Sequence, residues 1–141
     1  MNERVRRHSL VLQGTRAAVG AARAWLKELG ARHGLRAEPQ YALDLCANEL
    51  LANIVEHGLK NAAGEIRLEL LLEPDAVALT IIDSGPPFDP LAYPDPLLPE
   101  SLEATSAGGR GLFLVRRFAD ALHYERVDDR NRFTVRIAGT R

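Results

Sequence analysis

The 141-residue chain has one cysteine, one methionine and one tryptophan, and aromatic residues make up only 6% of it. A single thiol, Cys46, cannot close an intramolecular disulfide, which excludes a disulfide-stapled scaffold and fits a reducing compartment. No apolar run approaches the ~20 residues that a membrane-spanning helix needs. The first residues alternate charged and apolar types and lack the continuous apolar centre of a signal peptide. The expectation is a cytoplasmic protein with no membrane contact. Charge of one sign is missing too: 18 basic against 19 acidic side chains leave a net charge of -1, which argues against bulk attraction to nucleic acid. The basic clusters RVRR and RVDDRNRFTVR are broken by acids and apolar residues, as on solvated strand faces.

What is present is an ordinary globular composition of a length that suits one domain, residues 1–141. RRHSLVLQG predicts a strand ending at Gly14, after which Thr15 caps a long Ala-rich helix stopped by Gly34. A second helix is expected from near Pro39 to His57, with Gly58 as its stop. The period then changes to two. EIRLELLL and AVALTIID alternate about the turn EPD as a hairpin, and ALHYERV and RFTVRIAG do the same about DDRN. RGLFLVRRFAD between the hairpins predicts a further helix. The strands are apolar on alternate positions only, so helices should cover one face. The expected fold is an α+β two-layer sandwich, a mostly antiparallel mixed sheet with helices on one side.

Three stretches carry residues that packing alone does not ask for. In ELLANIVEHG, Glu49 and Asn53 lie four apart, within the apolar arc of Ala42, Leu45, Cys46, Leu50 and Ile54. An amide there suits a hard cation that takes oxygen ligands, and a carboxylate beside it could deprotonate an attacking hydroxyl or water. A satisfied polar pair at the rim of the core is the plainer alternative. In DSGPPFDP, Asp83 ends a strand on its apolar side and Gly85 follows, permitting close backbone approach. The acid could take a purine amino group, or simply bond its own backbone in a turn. In GGRGLFLV, Gly108, Gly109 and Gly111 leave amides uncovered at a helix start, where phosphate binds well, and Arg110 adds a cation. A hinge would look the same. Between the last two stretches lies a Pro- and Gly-rich segment far longer than the ~4–6 residues of a usual connection.

Taken in order, these three stretches resemble the nucleotide-binding boxes of the GHKL (Bergerat-fold) ATPases, and most closely the anti-sigma factor serine/threonine kinases. The resemblance spans nearly the whole chain. It implies ATP and Mg²⁺ as cofactors, Asn53 as the metal ligand and Glu49 as the catalytic base. It assigns Asp83 to the adenine amino group, with Gly85 beside it, and Gly108, Gly109, Arg110 and Gly111 to the phosphates. An ATP lid then covers about 84–110. Thr134 matches a family threonine near the adenine, although its parity opposes that of Phe133, Val135 and Ile137. Pro87 stands where the first glycine box usually has its second glycine. The partners implied are a small anti-anti-sigma antagonist protein, phosphorylated on Ser or Thr, and a sigma factor or other response regulator. Self-association into a homodimer is implied as well. The alternative function is an ATP-binding module that sequesters its partner with little or no phosphate transfer. Scattered histidines (His8, His33, His57, His123) and the lack of a preceding helical hairpin disfavour a histidine kinase.

Overall fold

The computed structural model describes residues 5–58, 64–89, 91 and 114–141, with backbone alone at His57 and Gly58. Strand β1 (Arg6–Gln13) is followed by helices α1 (Arg16–Arg32) and α2 (Ala37–Asn53) and then by strands β2 (Glu65–Glu73) and β3 (Ala76–Asp83). The chain closes with β4 (Ala121–Val127) and β5 (Arg130–Ala138). The sheet order is β1-β2-β3-β5-β4, and each neighbouring pair is antiparallel, so the expected mostly antiparallel sheet is antiparallel throughout its described part.

Period-two patterning sets the two faces. Ile66, Leu68, Leu70 and Leu72 of β2, Val77, Leu79 and Ile81 of β3, and Phe133, Val135 and Ile137 of β5 are all buried. They meet Ala18, Ala22, Leu26 and Leu29 of α1 and Ala42, Leu43, Cys46, Ala47, Leu50 and Leu51 of α2 in one core cluster. The α1 residues recur at spacings of four, four and three, one stripe of a helix. Helix α2 buries more of its circumference, because it lies between α1 and the sheet. Val115, in the helical residues 114–118, closes the same core.

The ends of the elements follow the sequence with two differences. Gly34 stops α1 as expected, with φ of 68°. Its N–H donates to the Ala31 carbonyl, and Leu35 N–H to that of Gly30, the double bond of a Schellman cap. Thr15 is the N-cap residue, but its hydroxyl makes no cap bond. Helix α2 starts at Ala37, which leaves Pro39 in the first turn, where its missing N–H costs nothing. It does not run on to His57. The α-helix ends at Asn53 and continues as a π-helical turn, Ile54–Gly58. The last hairpin is tighter than DDRN suggested. Asp128 and Asp129 alone form the turn, with φ of 52° and 62°, and Arg130 and Asn131 belong to β5. Two left-handed residues define a type I′ turn, which matches strand twist but strains residues with a Cβ. Changing Asp128-Asp129 to Asn-Gly is expected to stabilise the protein by about 0.5–1 kcal/mol. A thermal melt with unchanged or lower midpoint would contradict this.

Candidate functional site

Chain connectivity brings the end of α2 and the end of β3 together. Helix α2 is capped by Arg36, whose N–H donates to the Thr140 carbonyl and whose Nε donates to that of Gly139. Gly139 N–H in turn reaches Asp75 in the β2–β3 turn. From that end, 17 helical residues run about 25 Å, and the eight residues of β3 cover about the same distance. Beyond α2, Gly58 lies six residues from Gly64, a span of at most about 21 Å. Gly64 accepts from Gly14 N–H, beside the start of β2. There Ile66 pairs with Asp83. Asn53 and Asp83 therefore sit at one end of the helix–sheet layer, both buried, 6% and 5% exposed.

At this end Asp83 faces the core side, as parity requires. Its Oδ1 accepts from Gly85 N–H at 2.9 Å and from Asn131 Nδ2 at 3.1 Å. The first bond is the self-bonding turn expected of a strand-ending Asp. Both bonds fall on one oxygen, which leaves Oδ2 to meet an outside donor. Asn131, missed in the sequence, organises the segment that follows. Its Nδ2 also donates to the Pro86 carbonyl at 3.0 Å, while its Oδ1 accepts from Phe88 N–H at 3.2 Å and from Tyr124 OH at 2.5 Å. Arg126 Nη1 donates to the Gly85 carbonyl at 2.7 Å. These bonds tie residues 85–88 to β4 and β5. The available signal was parity: Asn131 stands two before Phe133 and so faces inward, opposite Asp83 in register.

Thr134 takes the other face. Its hydroxyl is hydrogen-bonded to that of Thr80 at 2.9 Å on the helix-free side of the sheet. That corrects its match to a threonine near an adenine held by Asp83. The polar neighbour on the face of Asp83 is Asn131.

On α2, Glu49 is half-buried one turn before Asn53. Its Oε2 accepts from Asn48 Nδ2 at 2.9 Å. Asn53 Nδ2 is buried with no hydrogen-bond partner. Buried amide donors are nearly always satisfied, so this N–H lacks the acceptor its burial calls for, and a cation could be met only by the carbonyl oxygen of the same amide. No group of three or more His, Cys, Asp or Glu that could hold a metal occurs among the described residues. A divalent cation at Asn53 would therefore complete its shell with phosphate and water oxygens, the habit of Mg²⁺. Gly108, Gly109, Arg110 and Gly111 lie outside the described residues, as do the side chain of His57 and, of the lid expected at about 84–110, residue 90 and residues 92–110. A cavity of about 220 Å³ reaches Asp83 from the outer side of the sheet, between Val11, Glu65, Arg67, Ile82 and Arg130.

Cys46, one turn before Glu49 and Leu50, is fully buried. Burial pushes its thiol up to about 12, and the Glu49 carboxylate adds to the effect. In an unfolded chain a thiol titrates near ~8.5. Its contribution to stability is thus intact below ~8.5 and is lost as pH rises toward 12. We expect the native thiol to resist alkylation at pH 8 under conditions that modify the urea-unfolded protein fully. Equal labelling rates, followed by mass spectrometry, would show that the layer opens readily.

An antiparallel sheet backed on one face by two helices is the α+β layout of the GHKL ATPases. The chain belongs to the histidine kinase-like ATPase domain family, which it matches over residues 12–137. It is 36% identical over 128 residues to the serine/threonine-protein kinase BtrW of Bordetella bronchiseptica, with 90% of each chain covered. Its fold is similar to that of the RsbU and RsbW domains of Rv1364c from Mycobacterium tuberculosis, at a TM-score of 0.69 and 19% identity. That match covers 96% of this chain and 33% of the other.

Proposed function

We propose that this protein is an ATP-dependent serine/threonine kinase of the anti-sigma type. It phosphorylates a small anti-anti-sigma antagonist and, when free of it, sequesters a sigma factor or similar regulator. The observation that carries the reading is the half-buried Glu49 one turn from the buried Asn53, whose Nδ2 has no hydrogen-bond partner, at the same end of the layer as Asp83. The 36% identity to a serine/threonine-protein kinase supports it.

Asp83 Oδ2 accepts from the adenine amino group, a geometry that favours purines with an exocyclic donor. Asn53 would hold Mg²⁺ through its carbonyl oxygen, and the cation would offset phosphate charge. Glu49 orients the partner's hydroxyl and accepts its proton as the oxygen attacks the γ-phosphorus. The bond to the β–γ bridging oxygen breaks and ADP leaves. Gly108, Gly109, Arg110 and Gly111 cradle the phosphates, since positioning and electrostatics dominate phosphoryl transfer. The transferred group adds about -2 charge to the antagonist, which repels it from an interface built for a neutral hydroxyl. All of this takes place in the cytoplasm; no helix among the described residues is long and apolar enough to cross a membrane.

The test is transfer of γ-labelled phosphate from ATP to a candidate antagonist domain, run beside a thermal melt with and without Mg·ATP. Transfer with a raised melting temperature is expected. A raised melting temperature without transfer to any antagonist would leave an ATP-binding sequestering module. No thermal shift at all would overturn both.

A further inference from the structure

Among the described residues, four buried side-chain polar atoms lack a hydrogen-bond partner: Asn53 Nδ2, His8 Nε2, His33 Nε2 and Thr140 Oγ1. The first belongs to the site above. The other three gather at the opposite end of the layer, about 25 Å away along α2. The rings of His8 and His33 lie 5.2 Å apart. His33 and Thr140 both line a cavity of about 460 Å³ beside the Gly34 turn, together with Arg6, Arg32, Glu73 and Arg141. Isolated orphans are rare in native proteins, and two at one cavity, with a third on the ring packed against His33, need a reason.

The lining is cationic once its acids are accounted for. Glu73 is held by Arg136 at 2.9 Å. Arg32 pairs with Glu28 at 2.7 Å, but both side chains are more than half exposed, and such a pair contributes little and yields readily to a stronger partner. Arg141 adds a further guanidinium to the lining. Arg6 has no carboxylate partner among the described residues. Burial, followed by the charges of His8, Arg6 and Arg32, pushes the pKa of His33 down, so at neutral pH it is an uncharged ring that donates through Nε2 in one tautomer. Thr140 is 1% exposed, and its hydroxyl proton is free to turn toward an acceptor.

We propose that this cavity binds a small phosphate-bearing anion, with Arg6 and Arg32 supplying charge and His33 and Thr140 supplying neutral donors. A phosphoryl group offers three terminal oxygens and more negative charge than a carboxylate to a lining rich in guanidinium, and guanidinium forks match it. A cavity of this size falls within the range of small-molecule sites. The site is independent of the nucleotide site, and its occupancy would link α1, the α1–α2 turn and the end of β5.

The experiment is a titration of ¹⁵N-labelled protein, free of ATP and Mg²⁺, with inorganic phosphate and then pyrophosphate at constant ionic strength. Saturable amide shifts centred on Gly34, Leu35 and Thr140, with a Kd below about 10 mM, are expected. Thr140→Val and Arg6→Ser should each weaken binding about tenfold or more, while Thr140→Ser should keep it. Thr140→Val should also raise the melting temperature of the free protein, because it removes an unsatisfied buried hydroxyl at constant shape. A merely structural Thr140 would not combine higher stability with lost binding. Shifts confined to residues 83–88 would assign pyrophosphate to the nucleotide site and overturn the proposal. So would unsaturable drift across the surface, or wild-type affinity in Thr140→Val.

Discussion

Glu49→Gln is expected to slow phosphate transfer to the antagonist by about 10²–10⁴-fold while leaving ATP affinity nearly unchanged. The substitution keeps the shape of the side chain and an oxygen able to accept from Asn48 Nδ2, the bond present in the wild type. What it removes is the capacity to take a proton. Because Glu49 lies one turn from Asn53 and not on β3, adenine and phosphate contacts are preserved, so the loss should fall on kcat. The thermal shift with Mg·ATP is the control. A variant that transfers phosphate at the wild-type rate would end the assignment of Glu49 as the base. A variant that no longer binds ATP would instead move Glu49 into the nucleotide-binding set.

The second large effect belongs to Asn131. Asn131→Ala should destabilise the protein by about 3 kcal/mol, because several buried groups lose partners that cost about 1–3 kcal/mol each to leave unmade. The groups are the Asp83 carboxylate, the Pro86 carbonyl, the Phe88 N–H and the Tyr124 hydroxyl. For a domain of this length that corresponds to a melting temperature lower by about 10 °C. The same variant should weaken ATP binding, since Asp83 loses its in-register neighbour and residues 85–88 lose their tether. Asn131→Asp separates the two effects. It keeps the size and the acceptor, but sets a second carboxylate against Asp83, so it should harm binding at least as much as Ala. Wild-type stability in Asn131→Ala would mean that Arg126 alone, through its 2.7 Å bond to the Gly85 carbonyl, suffices to hold the segment.

The hairpins, both long helices and the one-sided helical cover were legible because alternation and helical stripes are local patterns that burial enforces. Asp83 was placed on the right face by counting residues along β3. Asn131 was hidden by an error of two residues in the final turn, since DDRN offers four turn-forming residues and only φ shows that Asp128 and Asp129 suffice. The same counting put Thr134 on the outer face, against its family match, and the bond to Thr80 bears out the counting. The π-helical turn after Asn53 was not legible at all. One extra residue per turn leaves no mark on composition, yet such turns recur at functional sites because they re-aim neighbouring side chains.

The sheet order has an evolutionary corollary. Each hairpin, β2–β3 and β4–β5, closes through a turn of two residues, and in the sequence residues 92–113 fall between one finished hairpin and the elements that lead into the other. The entropy of closing such a connection grows slowly, by about 0.6 kcal/mol for each doubling of length. Insertions and deletions there are nearly free for the scaffold. Such a chain can therefore be reshaped beyond residue 91 to suit new partners, and the strands need not register the change.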